Sequence, residues 1–258
     1  MGGMTLSVLL LGNPVSRSLS PAMQNAGFEA VGIDCRYLVR EINETQLRDT
    51  IAEMRTDHRI LGANVTIPHK QAVIPLLDQL EPLARRIGAV NTISRHDNDL
   101  IGANTDVEGF RRAVDECGYE IEGKTVVIIG AGGAARAVAA ALQSAAAQIR
   151  VAARNAAQAD QLCRDLDLEQ GRSLALDDWH NIMDGADVVV NATPSDLPPR
   201  EWLQPGQRVF DVRSRRSPEG RAMLLHQGVA SFEIWTGRPA PVEAMRAALD
   251  AAAQAVAV

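Results

Sequence analysis

The stretch TVVIIGAGGAARAVAAAL, residues 125–142, decides the fold. Its first five residues are apolar or β-branched, the composition of a short strand buried on both faces. Gly130, Gly132 and Ala135 then fall on the spacing G-x-G-x-x-G/A, and an alanine-rich helix pattern continues over 134–146. The chemistry of a phosphate cradle needs these small residues. Gly130 permits the tight turn, Gly132 lets backbone approach a pyrophosphate, and Ala135 lets the helix pack close on its strand. The segment Gly130, Ala131, Gly132, Gly133 and Ala134 therefore reads as a dinucleotide cradle at a helix N-terminus. A tight α/β turn without a ligand is the alternative reading.

The next strand, 149–153, decides which dinucleotide. An NAD site places Asp or Glu about 20 residues past the first glycine, to bond the ribose 2′-OH. This chain has Ala153, Arg154 and Asn155 there, and no acid until Asp160. Arg154 suits a 2′-phosphate and Asn155 adds a neutral donor, which points to NADP.

Outward from this unit, short apolar runs alternate with helical patterns. Strands are predicted at 6–11, 36–39, 61–65, 187–191 and 208–212, and helices at 22–31, 44–55, 70–77, 107–117, 156–166 and 242–258. Runs at 90–95 and 100–103, split by Asp97, Asn98 and Asp99, read as a hairpin or two edge strands. This rhythm is that of an α/β protein with parallel sheets. Glycine and charged residues interrupt it at 118–123, between two series.

The bulk composition excludes several classes. The chain has 258 residues, 46% hydrophobic and 22% charged, with a net charge of -6. That balance argues against a general nucleic-acid or anionic-membrane binder. No run reaches membrane-spanning length, and 6–11 reads as a strand and not as a leader segment. Cys35, Cys117 and Cys163 are scattered, with no metal-binding spacing, so no metal is expected and the thiols read as reduced, in a cytoplasmic protein. A monomer and a homodimer are equally compatible with the sequence.

Four polar clusters stand at strand ends or in loops of the first series: 16–20, 64–70, 91–92 and 104–106. Ligands of open α/β sheets sit beyond the carboxyl ends of strands, so the four can converge on a cleft facing the dinucleotide. Taken singly, each residue also has a plain structural reading. Ser18 and Ser20 can cap the helix starting near Pro21, Asp106 can cap the next one, and Lys70 can be a surface lysine.

Together these segments resemble one family. GNPVSRSLSP (12–21), NVTIPHK (64–70), AVNT (89–92), NTD (104–106), the glycine loop, NATP (191–194) and MLLHQ (223–227) stand in the order and spacing of the shikimate dehydrogenases. The resemblance covers nearly the whole chain. It implies a substrate-binding catalytic domain over 1–106 completed by a C-terminal helix at 236–258. It also implies an NADP-binding Rossmann domain over 107–235, with a cleft between the two. The activity implied is NADP-linked interconversion of 3-dehydroshikimate and shikimate, in the biosynthesis of chorismate and aromatic amino acids. The resemblance makes Lys70 the acid/base and Asp106 its partner. It assigns Ser18 and Ser20 to the substrate carboxylate, and Thr66, Asn91, Asp106 and Gln227 to its hydroxyls. Val212 and Gly220 join the glycine loop, Arg154 and Asn155 at the cofactor. His69 reads as a structural hydrogen-bond partner and not as a base.

The chain also departs from the family. Arg17 and Gln24 replace histidines, and Asp196 stands where a glycine is common. Past 212, where relatives continue through a helix and a short strand, residues 213–222 leave no room for either, since a parallel crossover takes a dozen or more residues. A reduced second sheet is therefore expected, and Ser214, in the place of a substrate-contacting tyrosine, leaves one substrate hydroxyl contact missing. Two other readings follow: a relative acting on quinate or an amino analogue, and a catalytically quiet binding or regulatory protein.

Overall fold

A computed structural model of the chain describes residues 5–143, 145, 148–168, 172–175 and 179–257. Two compact units emerge, one of residues 1–105 with 224–258, the other of 106–223.

The first unit carries β1 (Leu6–Gly12), α1 (Ser20–Ala30), β2 (Cys35–Glu41), α2 (Glu44–Thr56), β3 (Ile60–Val65), β4 (Gln79–Leu80), α3 (Pro82–Ile87), β5 (Thr92–His96) and β6 (Asp99–Ala103). The sheet order is β2-β1-β3-β5-β6-β4. β1 runs parallel to β2 and β3, whereas β5 is antiparallel to both β3 and β6. The expected hairpin is thus present, turning at Asp97, whose φ is 52°.

β1 shows why its sequence is an unbroken apolar run. Val8 and Leu10 face one core with Met23, Phe28, Val229, Phe232 and Met245. Leu9 and Leu11 face another with Leu47, Ile51 and Met54 of α2. A strand covered on both faces has no polar side to show. α2 is fixed by a full capping box, in which Asn43 and Gln46 each accept from the other's backbone N–H.

The second unit holds α4 (Asp106–Glu116), β7 (Thr125–Ile129), α5 (Gly133–Gln143), β8 (Gln148–Ala153), α6 (Ala156–Asp165), β9 (Arg172–Ala175), α7 (Trp179–Met183), β10 (Val188–Asn191) and β11 (Arg208–Asp211). Its strands pair in the order β11-β10-β7-β8-β9, all parallel. Counted within the unit this is 3-2-1-4-5, the dinucleotide-binding order with no sixth strand among the described residues. The chain then enters α8 (Pro218–Thr236) directly, followed by α9 (Val242–Ala257). Among the described residues the second sheet has five strands, in line with the reduced sheet expected from the short 213–222 segment.

The structure differs from expectation in several places, and β4, α3, α7 and α8 have no counterpart among the expected elements. Residues 70–77 form turns and a short 3-10 segment at Ile74–Leu76 in place of a helix, because Pro75 supplies no N–H for one. β9 has no counterpart among the expected strands. The helix expected over 134–146 is described over Gly133–Gln143, and Ser144 and Ala146 lie outside the described residues. The return to the first unit falls at Leu224 and not at 236. Leu225, Val229 and Phe232 of α8 recur on one face and pack into the core of the first unit. Phe232 meets Phe28 of α1 with ring centroids 5.1 Å apart.

Gly62 in β3 shows how closely α8 approaches the sheet. A Cβ there would lie 2.2 Å from the Ile93 carbonyl oxygen and 2.6 Å from Trp235 Nε1. That indole N–H already donates to the same carbonyl, at 2.9 Å. Gly62→Ala is expected to destabilise the protein by about 1–3 kcal/mol through overpacking. Thermal denaturation checks this, and an unchanged Tm would mean that the Ile93 backbone and Trp235 both give way without cost.

Candidate active site

In the first unit, the ends of β1 and β3 lie side by side. Thr66 N–H donates to the Leu11 carbonyl at 2.8 Å, and Asn13 N–H to the Ile67 carbonyl at 2.9 Å. A Cβ on Gly12 would sit 2.4 Å from the Thr66 methyl, so only glycine lets the two loops meet there. The following turn is pinned at both ends. His69 N–H donates to the Thr66 carbonyl and Val90 N–H to the Lys70 carbonyl, each at 2.8 Å. The buried His69 ring bonds through Nε2 to the Ile42 carbonyl at 2.8 Å, the structural role expected of it. Thr66 and half-buried Lys70 are thereby presented from one rigid turn next to Asn91 in the chain path.

Ser18 and Ser20 lie within hydrogen-bond reach of each other, Oγ to Oγ at 3.1 Å, and Ser18 Oγ accepts the Ser20 N–H at 3.2 Å. Neither is the N-cap of α1. That position is Leu19, which has no side-chain cap. The loop before them is held by Glu41, which accepts from the Val15 and Ser16 N–H groups.

Asn91 is the hub of the unit. Its Nδ2 donates to Thr105 Oγ1 at 2.8 Å and to Gln227 Oε1 at 3.3 Å, while its Oδ1 accepts from the Thr105 N–H at 2.8 Å. Asn91 and Gln227, both assigned to substrate hydroxyls by resemblance, are therefore in direct contact. Behind them stand groups that the sequence did not single out. Ser231, fully buried, has its Oγ 2.8 Å from Thr92 Oγ1 and 3.0 Å from Thr105 Oγ1, and donates to the Gln227 carbonyl at 2.9 Å. Tyr37 donates to Asn64 Oδ1 at 2.7 Å, and Asn64 Nδ2 donates to the Asn91 carbonyl at 3.1 Å. The Ser20 hydroxyl neighbours the same phenol, whose ionisation burial pushes far out of reach. Ser231 lies four residues past Gln227, on the same helix face. That spacing is the signal by which sequence could have found it.

Asp106, buried, is the first residue of α4. It follows Thr105, which bonds Asn91, and opens the second unit.

In the second unit the glycine loop follows β7, at the point where the strand order reverses. Gly130 has φ +118°, which favours glycine. Its missing Cβ faces the Thr193 methyl at 3.1 Å and the Ala192 carbonyl at 3.2 Å. Above Gly132 a Cβ would meet nothing within 4 Å, so its backbone is open to a ligand, and buried Ala135 seats α5 on β7. At the end of β8, Asn155 caps α6 by accepting the Ala157 N–H at 3.1 Å, which leaves its amide Nδ2 to donate. Exposed Arg154 pairs with none of the described residues. These features fit a 2′-phosphorylated dinucleotide. Val212 donates its N–H to the Asn191 carbonyl at 3.1 Å. Gly220 lies in the first turn of α8, where a Cβ would be 2.5 Å from the Arg213 carbonyl carbon.

Among the described residues no group of three or more His, Cys, Asp or Glu is placed to hold a metal ion, and no helix is long and apolar enough to cross a membrane. All three cysteines are free thiols. Burial pushes the Cys35 thiol up to about 11.

A five-stranded parallel sheet with a glycine loop at its switch point defines a Rossmann-type dinucleotide-binding α/β protein. Residues 10–93 match the shikimate dehydrogenase substrate binding domain, 112–204 the shikimate / quinate 5-dehydrogenase family and 220–249 the shikimate 5'-dehydrogenase C-terminal domain. The chain belongs to the shikimate dehydrogenase family. It is 41% identical over 270 residues to the shikimate dehydrogenase (NADP(+)) of Moorella thermoacetica, covering 92% of this chain and 90% of the relative. Among solved structures, shikimate dehydrogenase from Aquifex aeolicus superposes with TM-score 0.86 at 29% identity, covering 96% of this chain and 99% of that one. The Thermus thermophilus shikimate 5-dehydrogenase, in complex with NADP(H) and shikimate, does so with TM-score 0.82 at 31% identity, over 96% and 99% of the two chains.

Proposed function

We propose that this chain catalyses the reversible NADP-dependent reduction of 3-dehydroshikimate to shikimate, supplying chorismate and aromatic amino-acid biosynthesis. The observation that carries the reading is the contact of Asn91 with Gln227, 136 positions apart, backed by the hydroxyls of Thr92, Thr105 and Ser231. A wall of neutral donors and acceptors suits a substrate with several hydroxyls, each held by a modest bond. Ser18 and Ser20 hold the substrate carboxylate, and Thr66, Asn91, Asp106 and Gln227 its hydroxyls. Lys70 holds the proton that passes to and from the reacting oxygen, with Asp106 as its partner. The residues that would hold NADP are Gly130, Ala131, Gly132, Gly133, Ala134, Arg154, Asn155, Val212 and Gly220. When bound, the nicotinamide supplies or accepts the hydride. The substrate-binding domain is then the first unit and the NADP-binding domain the second. We place the protein in the cytoplasm, as a monomer or a homodimer, because its free thiols suit a reducing compartment.

The test pairs purified protein with shikimate or quinate, and with NADP or NAD, in all four combinations, following reduced nicotinamide by absorbance. Turnover is expected with shikimate and NADP. None with any pair, at millimolar substrate and with NADP still bound, would leave a quiet binding protein as the better account.

Ser214 in place of the family's tyrosine removes one neutral hydrogen bond to a group present in both ground and transition states. Uniform binding of that kind shows in KM and not in kcat. Loss of one such bond is expected to raise the shikimate KM by about two- to thirteenfold over relatives that keep the tyrosine. Saturation kinetics beside such a relative measure this, and a matching KM with a depressed kcat would contradict it.

A further inference from the structure

Resting on the reading of Val212 and Gly220 as cofactor contacts, we propose that Arg213 is a positioning residue for NADP, clamping together the loops that follow β10 and β11. Its guanidinium grips Asp211, Nε to Oδ1 at 2.9 Å and Nη2 to Oδ2 at 2.5 Å, and reaches Asp196 Oδ1 with Nη1 at 2.5 Å. Its own N–H donates to Asp211 Oδ1 at 3.0 Å. The Arg213 and Asp211 side chains are mostly buried, whereas Asp196 is 77% exposed. The arginine is thus pre-positioned by its buried partner, and only Asp196 has to be caught. Arg213 holds the Asp196 carboxyl below the usual carboxylate range, so the pair stays charged under neutral assay conditions.

The clamp reaches the cofactor residues on both sides. On one side the Arg213 carbonyl accepts the Arg216 and Ser217 N–H groups, and Ser217 Oγ donates to the Asp211 carbonyl at 2.6 Å and accepts the Gly220 N–H at 2.8 Å. The first turn of α8 therefore sits on the Arg213 backbone, where Gly220 has no room for a Cβ. On the other side, the loop carrying Asp196 is folded by Asn191, which donates to the Ser195 carbonyl and accepts from Thr193. Thr193 and Ala192 in turn lie against Gly130. The Asp196–Arg213 pair thus adds a side-chain tie between these loops beside the backbone bond from Val212 to Asn191, and Val212 lies between Asp211 and Arg213 in the chain. Asp196 and the 213–222 segment are both places where the chain departs from its family, and the structure joins them.

The experiment compares the wild-type chain with Arg213→Ala, Arg213→Lys and Asp196→Asn. NADPH affinity is read by fluorescence titration, together with KM for NADP and for shikimate, kcat and Tm. Arg213→Ala is expected to weaken NADPH and raise the NADP KM by about three- to tenfold, and Asp196→Asn by about twofold, with shikimate KM unchanged. Lysine should rescue little, since one ammonium cannot span two carboxylates as a planar fork does. A fall in Tm with NADPH affinity unmoved would make Arg213 merely structural and overturn the inference. A wild-type chain that does not bind NADPH would overturn the functional reading, and the inference with it. Should Arg213→Ala not fold, Asp196→Asn decides by the same readouts, because it leaves the Arg213–Asp211 grip intact.

Discussion

Replacing Lys70 by Ala is expected to lower kcat by about 10²–10⁴-fold, the usual contribution of a general acid or base. NADPH affinity should stay nearly unchanged. Lys70 belongs to the turn pinned at Thr66 and Val90 in the first unit, while the glycine loop, Arg154 and Asn155 belong to the second. A side chain that moves a proton acts in the transition state, so its removal appears in kcat and kcat/KM alike. Lys70→Arg separates this role from simple charge. Arginine keeps the charge but does not release its proton near neutral pH, so this variant should remain almost as slow as Lys70→Ala. Near-normal turnover in either would remove Lys70 from the chemistry.

The second large effect concerns the choice of cofactor. Arg154→Ala is expected to weaken NADP by about ten- to a hundredfold, the loss of a charge-assisted bond worth roughly 1.5–3 kcal/mol. NAD, which lacks the 2′-phosphate, should hardly change. The structure makes this a clean substitution. Arg154 is exposed and pairs with none of the described residues, and the neighbouring cap on α6 is made by Asn155, so the fold should be unaffected. Titration of both cofactors against both proteins measures the difference. Equal losses would show that Arg154 acts on something common to the two dinucleotides.

Much of the chain could be read without tertiary information because its signals are local. The apolar run of β1, the strand, glycine loop and helix at 125–143, and the absence of an acid after Ala153 are patterns of adjacent residues. Each follows from the backbone hydrogen bonding and steric rules of a single element. The short 213–222 segment announced a smaller sheet for the same reason, since chain length alone limits what a crossover can contain.

Other features escaped that reading because long-range packing decides them. α8 carries glycines at 220 and 228, which in isolation weaken a helix. Gly228 packs against the Met23 side chain of α1, whose Cε would lie 2.2 Å from an added Cβ, and tertiary packing sustains the helix. Residues 70–77 have a helical composition, but Pro75 and the bonds of Thr66, His69 and Lys70 to the ends of neighbouring strands hold them as turns. The site divides the same way. The residue types at 66, 70, 91, 106 and 227 were legible in the sequence as a family pattern. That Asn91 touches Gln227, with Ser231, Thr92 and Thr105 behind them, was settled only when α8 returned to the first sheet. A contact across 136 residues leaves no local periodicity, and it forms only because Leu225, Val229 and Phe232 bury their side chains against α1 and β1.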